Sequence, residues 1–224
     1  MSVHSIASSE ANSEQLDISN PRTCDCPPKH INCLTAKEWL KAQIGVWQFY
    51  YESRDVRNKK QHPATFPISL SSQVISLFTH KGELIVDPFV GSGTTLVSAR
   101  DLERNAVGFD INEAYVGLGH ERLAQLALVD PSTPTTKQIP IQDDARNIAD
   151  YLEPDSVSLF LTSPPYANLL NRKRKNKSRR GDERFNEQYQ KVEQYSQDSR
   201  DIGTLSLEDY QQTMADIYVD LSHS

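Results

Sequence analysis

The hydrophobic pattern is clearest between Glu83 and Ala99, ELIVDPFVGSGTTLVSA. Leu84, Ile85 and Val86 form a continuous apolar run, which predicts a strand buried on both faces of a parallel sheet. Asp87-Pro88 ends it, because proline has no N–H to give to a ladder. Gly91-Ser92-Gly93 then permits a tight turn and leaves bare backbone open to a ligand. Thr94-Thr95 opens an apolar helical run through Leu96, Val97, Ala99 and Leu102. A strand, a glycine turn and a helix N-terminus together make a cradle for a nucleotide or adenosyl cofactor; a plain glycine-rich connection is the alternative.

The flanking pattern continues the same architecture. Thr35-Ala36-Lys37-Glu38 is a capping box with Leu34 and Trp39 placed as a hydrophobic staple. It predicts a helix carrying Trp39, Leu40, Ile44 and Trp47, the aromatic pair packed in the core. His62 to Pro67 reads as a stiff irregular segment, and Leu70 to Phe78 as a short helix ended by His80-Lys81-Gly82. Ala106 to Asp110 is a second strand ending in an acid, 17 residues beyond Gly93. That is close to the offset of about 20 at which such folds set a carboxylate on a ribose hydroxyl. Asn112 caps a helix to about Leu128, with Tyr115, Leu118, Leu123 and Leu126 as its buried positions. Pro131 and Pro134 mark a loop. Gln138 to Ile141 is a weak third strand interrupted by Pro140, leading to Asp143-Asp144-Ala145, and Val157 to Leu161 is a fourth, followed by Thr162-Ser163-Pro164-Pro165-Tyr166. A last helix, capped by Ser206, carries Tyr210, Met214, Ile217 and Leu221. The sum predicts an α/β fold: a Rossmann-like, doubly wound, mostly parallel sheet with right-handed crossovers. Asp87 with the glycines, Asp110, Asp144 and Ser163-Pro-Pro-Tyr then fall at four strand ends that face one crevice.

Composition narrows the class. Across 224 residues the hydrophobic share is 37% and the charged share 24%, with no run of eighteen apolar residues to span a membrane. The opening MSVHSIASSEANSEQ has neither a basic n-region nor an apolar h-region, so a cytoplasmic protein is expected. Residues 1–32 read as a disordered segment, polar up to about Arg22, ahead of a catalytic domain over 33–224. Cys24, Cys26 and Cys33 are an odd number in a short stretch, which fits reduced thiols rather than a disulfide framework. With His30 their spacing is C-x-C-x3-H-x2-C, which matches no standard finger, so no metal site is expected. Net charge is −6, yet seven of the nine residues from Arg172 to Arg180 are basic: Arg172, Lys173, Arg174, Lys175, Lys177, Arg179 and Arg180. Such a cluster offers a phosphate-binding surface on an acidic chain; a solvated loop is the bland alternative.

DPFVGSGTT followed by TSPPY resembles the DNA amino-methyltransferases, and HPATFP resembles that family's further cofactor-side motif. The resemblance, which runs from about Cys33 onward, implies S-adenosyl-L-methionine as cofactor and double-stranded DNA as substrate. It implies that Asp87, Phe89, Gly91, Gly93 and Thr94 surround the methionine and ribose part, and that Phe66 and Pro67 close the methionine end. Asp110 would hold the ribose hydroxyls and Asp144 the adenine amine. Ser163, Pro164, Pro165 and Tyr166 would form the catalytic site, and the basic cluster would contact DNA. A base inside a duplex must be flipped out to react. Its exocyclic amine is a poor nucleophile, and Ser163 and Pro164 can accept its two N–H bonds and so orient the lone pair. C5-cytosine chemistry fits poorly, because its cysteine nucleophile would have to follow a strand and all three cysteines lie upstream. Ser at 163 tilts the resemblance toward N4 of cytosine over N6 of adenine.

The family's fold continues with a fifth strand, a closing hairpin and a target-recognition domain, which this sequence does not display. The expectation is an N-terminal portion, with a basic insertion at about 167–205, that awaits a C-terminal half or second subunit and a cognate restriction nuclease. An RNA base-amine methyltransferase and an inactive DNA- or partner-binding fragment are the alternatives.

Overall fold

The computed structural model describes residues 16, 18, 21–43, 45–56, 65–129, 136–166 and 198–221. A two-residue hairpin, β1 (His30–Ile31) and β2 (Leu34–Thr35), leads into α1 (Ala36–Ala42), and a single turn α2 (Ser53–Val56) follows. Then come α3 (Ile68–Phe78), β3 (Leu84–Asp87), α4 (Thr94–Asp101), β4 (Asn105–Asp110), α5 (Glu113–Val129), β5 (Gln138–Gln142), β6 (Leu159–Phe160) and α6 (Leu207–Leu221). Short 3-10 turns occupy Ala145–Asp150 and Ile202–Thr204.

The strands β5-β4-β3-β6 form one parallel sheet in that order. Its residues alternate between two cores. Leu84, Val86, Val107 and Phe109 face Ile148, Ile202, Met214, Ile217 and Leu221, so the 3-10 turns and α6 cover one face. Ile85 and Ala106 face Ile75, Val90, Leu96 and Ala99, so α3 and α4 cover the other. Both faces being covered is why β3 reads as an unbroken apolar run, all four of its residues buried. The expected doubly wound α/β architecture is present.

Several local details depart from the pattern. Pro140 stands inside β5 without breaking it, because β5 is an edge strand whose outward N–H positions need no partner. The fourth strand contracts to Leu159–Phe160, prolonged by single bonds from Ser158 N–H to the Leu84 carbonyl (3.0 Å) and Leu161 N–H to the Val86 carbonyl (3.0 Å). Among the described residues the crossover from β5 to β6 carries a 3-10 turn and no α-helix. The capping box at Thr35 forms as predicted, yet α1 stops at Ala42 and buries none of its residues. The cap contributes about 1 kcal/mol to this short helix. The tryptophans therefore do not pack on one helical stripe: the Trp47 indole donates to the Ala42 carbonyl (2.9 Å), satisfying a terminal acceptor, and meets Phe49 edge-on. Ile44 lies outside the described residues. Part of the stretch expected to be disordered is also placed: Leu16 and Ile18 pack against the α6-side core, and Leu16 N–H donates to the Tyr151 carbonyl (3.2 Å).

Candidate active site

The strand order reverses at β3, with β4 and β5 on one side and β6 on the other. At such a switch point the loops leaving neighbouring strands part and leave a crevice. A cavity of about 350 Å3 opens there, within the range of small-molecule sites, about 300–1,000 Å3. Of the residues expected at the site, Phe66, Phe89, Gly91, Thr94, Asp110, Asp144, Ser163, Pro164, Pro165 and Tyr166 line it. Pro67, Asp87 and Gly93 do not line it. Pro67 leads into α3, and the other two shape the glycine loop from behind. The basic cluster Arg172–Arg180 lies outside the described residues, as do His62, Pro63 and Ala64.

The loop after β3 is held from three sides. Buried Asp87 accepts from the Phe89 N–H (3.1 Å) and the Thr95 hydroxyl (2.5 Å), tying the end of β3 to the first turn of α4. Arg122 of α5 donates to the Ser92 carbonyl (2.8 Å) and the Thr94 hydroxyl (3.1 Å). Gly93 takes φ +82°, where a side chain is strained, and a Cβ there would come within 3.1 Å of the Gly119 Cα. At the end of β4, Asp110 accepts from the Gly91 N–H (3.0 Å) and the Asn112 N–H (2.8 Å). Its carboxylate thus stands where glycine backbone and cavity meet.

Asp144 is engaged differently. It caps the 3-10 turn through the Arg146 N–H (3.0 Å) and takes both arms of the Arg146 guanidinium (2.9 and 2.5 Å). Burial works to raise its pKa, but these bonds outweigh burial and hold the carboxyl below its ordinary value. Neighbouring Asp143, which also lines the cavity, accepts from the Tyr151 hydroxyl (2.6 Å) and the Asn147 amide (3.0 Å). Arg200, Asp201 and Ile202 complete the wall. No periodicity or motif marks these three; they return to the cavity because Ile202 anchors in the core with α6.

Burial raises Asp87 and Asp110 to about 6 each. A carboxyl with a folded pKa above its unfolded value binds more protons when folded, so it opposes stability as pH rises from about 4 to about 6. Wild-type unfolding free energy, measured against Asp110→Asn by urea titration, should therefore fall by about 2–3 kcal/mol between pH 4 and pH 7. A flat difference would show that Asp110 is not held in the buried setting described.

The lining carries four carboxylates (Asp110, Asp143, Asp144 and Asp201) against one arginine, Arg200. That balance disfavours a phosphate-bearing cofactor and suits a cationic one. The Thr65 hydroxyl, also in the wall, is buried and has no hydrogen-bond partner among the described residues, as a surface awaiting a ligand would leave it. Among the described residues, no helix is long and apolar enough to cross a membrane.

The type II methyltransferase M.HpaI of Haemophilus parainfluenzae is 37% identical over 78 residues, 35% of this chain and 25% of its own. The type II methyltransferase M.BglI of Bacillus subtilis is 38% identical over 93 residues, 41% of this chain and 26% of its own. The matched stretches thus span about a quarter of these relatives. Among solved structures, the M1.HpyAVI–SAM complex aligns with 35% of this chain and 41% of its own at 29% identity, with a TM-score of 0.30. The family model for N6/N4 DNA methylases matches residues 9–121, half of the sequence, taking in the glycine loop and Asp110. The chain belongs to the N6/N4 DNA methylase family.

Proposed function

We propose that this chain carries the cofactor-binding and catalytic parts of a methyltransferase that moves a methyl group from S-adenosyl-L-methionine to an exocyclic amine of a DNA base, with N4 of cytosine favoured over N6 of adenine. The observation that carries the reading is the single cavity shared by the Gly91–Asp110 corner and Ser163-Pro-Pro-Tyr. The residues suit the cofactor: bare backbone at Gly91, an acceptor pair on Asp110 for two ribose hydroxyls, an acidic wall for a sulfonium, and a Thr65 hydroxyl with no partner among the described residues. When bound, S-adenosylmethionine supplies an electrophilic methyl group.

The chain's own residues do the rest. The Ser163 hydroxyl and Pro164 carbonyl accept the two N–H bonds of a flipped base amine, turning its lone pair toward the cofactor side. Two prolines make that loop stiff, and Tyr166, exposed at the mouth, offers a stacking face. A proton shed after transfer requires no strong base. Asp144 Oδ2 takes one bond from Arg146 and keeps a lone pair for the adenine amine, so Arg146 belongs to that subsite as the group that orients the carboxylate. The cluster Arg172–Arg180, following Tyr166 in sequence, would neutralise phosphates, and a type II partner nuclease and a cytoplasmic setting belong to the same proposal.

The test is transfer of a labelled methyl group to duplex DNA, followed by nucleoside analysis, for wild type and Ser163→Ala. With the C-terminal half or second subunit supplied, we expect N4-methylcytosine from wild type and a rate at least 10²-fold lower in the variant, as for loss of an orienting contact. N6-methyladenine would reverse the choice of base. Transfer to RNA and not to DNA would overturn the substrate.

A further inference from the structure

At the opposite end of the sheet from the cavity, ahead of the first residue of β3, three thiols and an imidazole converge. The Cys24, Cys26 and Cys33 sulfurs and a ring nitrogen of His80 all lie within 4.8 Å of one another. Cys26 and Cys33 sulfurs are 3.3 Å apart, Cys24 Sγ is 3.3 Å from His80 Nδ1, and Cys33 Sγ is 3.6 Å from the same nitrogen. Ligand atoms held tetrahedrally at about 2.0–2.3 Å from one zinc ion stand about 3.4–3.8 Å apart, so these separations are those of a zinc shell to within small shifts. All three cysteines are free.

The backbone is built around the same point. Ile31 pairs with Leu34, leaving Asn32-Cys33 as a two-residue hairpin turn with φ +51° and +68°. Such turns take Asn-Gly, and a cysteine in the glycine place is strained by about 1–3 kcal/mol. Something must hold it there. The Lys81 N–H donates to the Cys33 sulfur (3.4 Å), a bond suited to a thiolate, and the Asn32 amide donates to the Leu77 carbonyl (2.5 Å). Thr23 N–H donates to the Lys81 carbonyl (2.9 Å), and Gly82, at φ +84°, leaves no room for a Cβ, which would meet the Pro21 carbonyl at 2.4 Å. Buried Arg104, bonded to the Thr79 carbonyl (2.8 Å) and hydroxyl (3.2 Å), sets a positive charge next to His80 on the side of the cluster.

We infer that Cys24, Cys26, Cys33 and His80 bind a structural zinc ion that fastens the N-terminal hairpin to the α3–β3 turn. The fourth ligand is His80, 47 positions beyond Cys33, and not the neighbouring His30, which is why the local spacing matched no standard finger and no metal site was expected from it. Four protein ligands close the shell, so the ion would have no open position for catalysis.

The full chain, purified without added chelator, should carry about one zinc by elemental analysis. Cobalt exchanged into it should give the intense tetrahedral and thiolate charge-transfer absorption of a sulfur-rich site. Cys33→Ser and His80→Ala should lower zinc content at least tenfold, and His30→Ala should leave it unchanged. A folded wild-type chain that takes up less than about a tenth of an equivalent of added zinc and gives no such cobalt spectrum would overturn the assignment. So would a Cys26–Cys33 disulfide in the freshly isolated protein, iron in place of zinc, or full zinc content in Cys33→Ser. If the serine and alanine variants do not fold, the wild-type stoichiometry and cobalt spectrum still decide.

Discussion

Replacing Asp110 with alanine is expected to weaken S-adenosylmethionine binding by at least a hundredfold in calorimetric titration, with the circular dichroism of the chain unchanged. The carboxylate stands at the end of β4 with one oxygen on the Gly91 N–H and the other on the Asn112 N–H, facing the cavity. Two ribose hydroxyls donating to it would each contribute about 1.5–3 kcal/mol as charge-assisted bonds. Their joint loss amounts to at least two orders of magnitude in affinity. The fold itself should tolerate the change. Burial pushes Asp110 up to about 6, so at neutral pH its charge opposes folding, and alanine removes that opposition while freeing two N–H groups beside an open crevice. Asp110→Asn, which keeps the shape without the charge, should fall between the two. Wild-type affinity in Asp110→Ala would remove Asp110 from the cofactor site and with it the reading of the Gly91 corner.

Gly108→Ala should lower the melting temperature by roughly 4–8 °C, corresponding to about 2 kcal/mol of overpacking in a domain of this size. Gly108 lies in β4, the neighbour of the central strand, opposite Pro140 on one side and Asp87 on the other. An added Cβ would stand 2.4 Å from Val90 Cγ2 and 2.6 Å from Val90 Cβ. Val90 cannot simply withdraw, because its N–H donates to the Phe109 carbonyl (2.8 Å) and its side chain packs with Ile75, Ile85 and Leu96. It also lines the cavity, so the displaced loop should lose cofactor affinity as well as stability. The second-site change Val90→Ala in the Gly108→Ala background should recover more than half of the lost stability, since the two positions share one volume. An unchanged melting temperature in Gly108→Ala would mean that the loop is not seated on β4 as described.

Much of this protein could be read from local pattern alone. The β3 run, the Asp-Pro stop and the glycine turn identify strand, loop and helix because each follows from short-range chemistry: burial on both faces, a missing N–H, a missing Cβ. Asp110, Asp144 and Ser163-Pro-Pro-Tyr were legible for the same reason, since strand ends in a parallel sheet face one way. The α5 cap at Asn112 and the α6 cap at Ser206 were equally local, and both side chains accept the expected backbone N–H. Where pattern overreached, a local signal had no tertiary partner. The Trp39–Trp47 periodicity promised a helix carrying both tryptophans, yet α1 fully buries none of its residues and stops at Ala42.

Other features depend on contacts that no window of sequence contains. That Asp87 serves behind the glycine loop while Asp110 faces the cavity follows from which way each strand end points once β3 and β4 are in register. Arg200, Asp201 and Ile202 reach the cavity wall only because the core beneath α6 draws them back across the sheet. His80 joins Cys24, Cys26 and Cys33 because the hairpin folds onto the start of β3, whereas spacing along the chain, with His30 as the nearby histidine, matched no standard finger and led to no expected metal site. Periodicity reports which side of an element is apolar; it carries no information about which distant element that side will meet, and partners of that kind are chosen when the sheet closes and buries them.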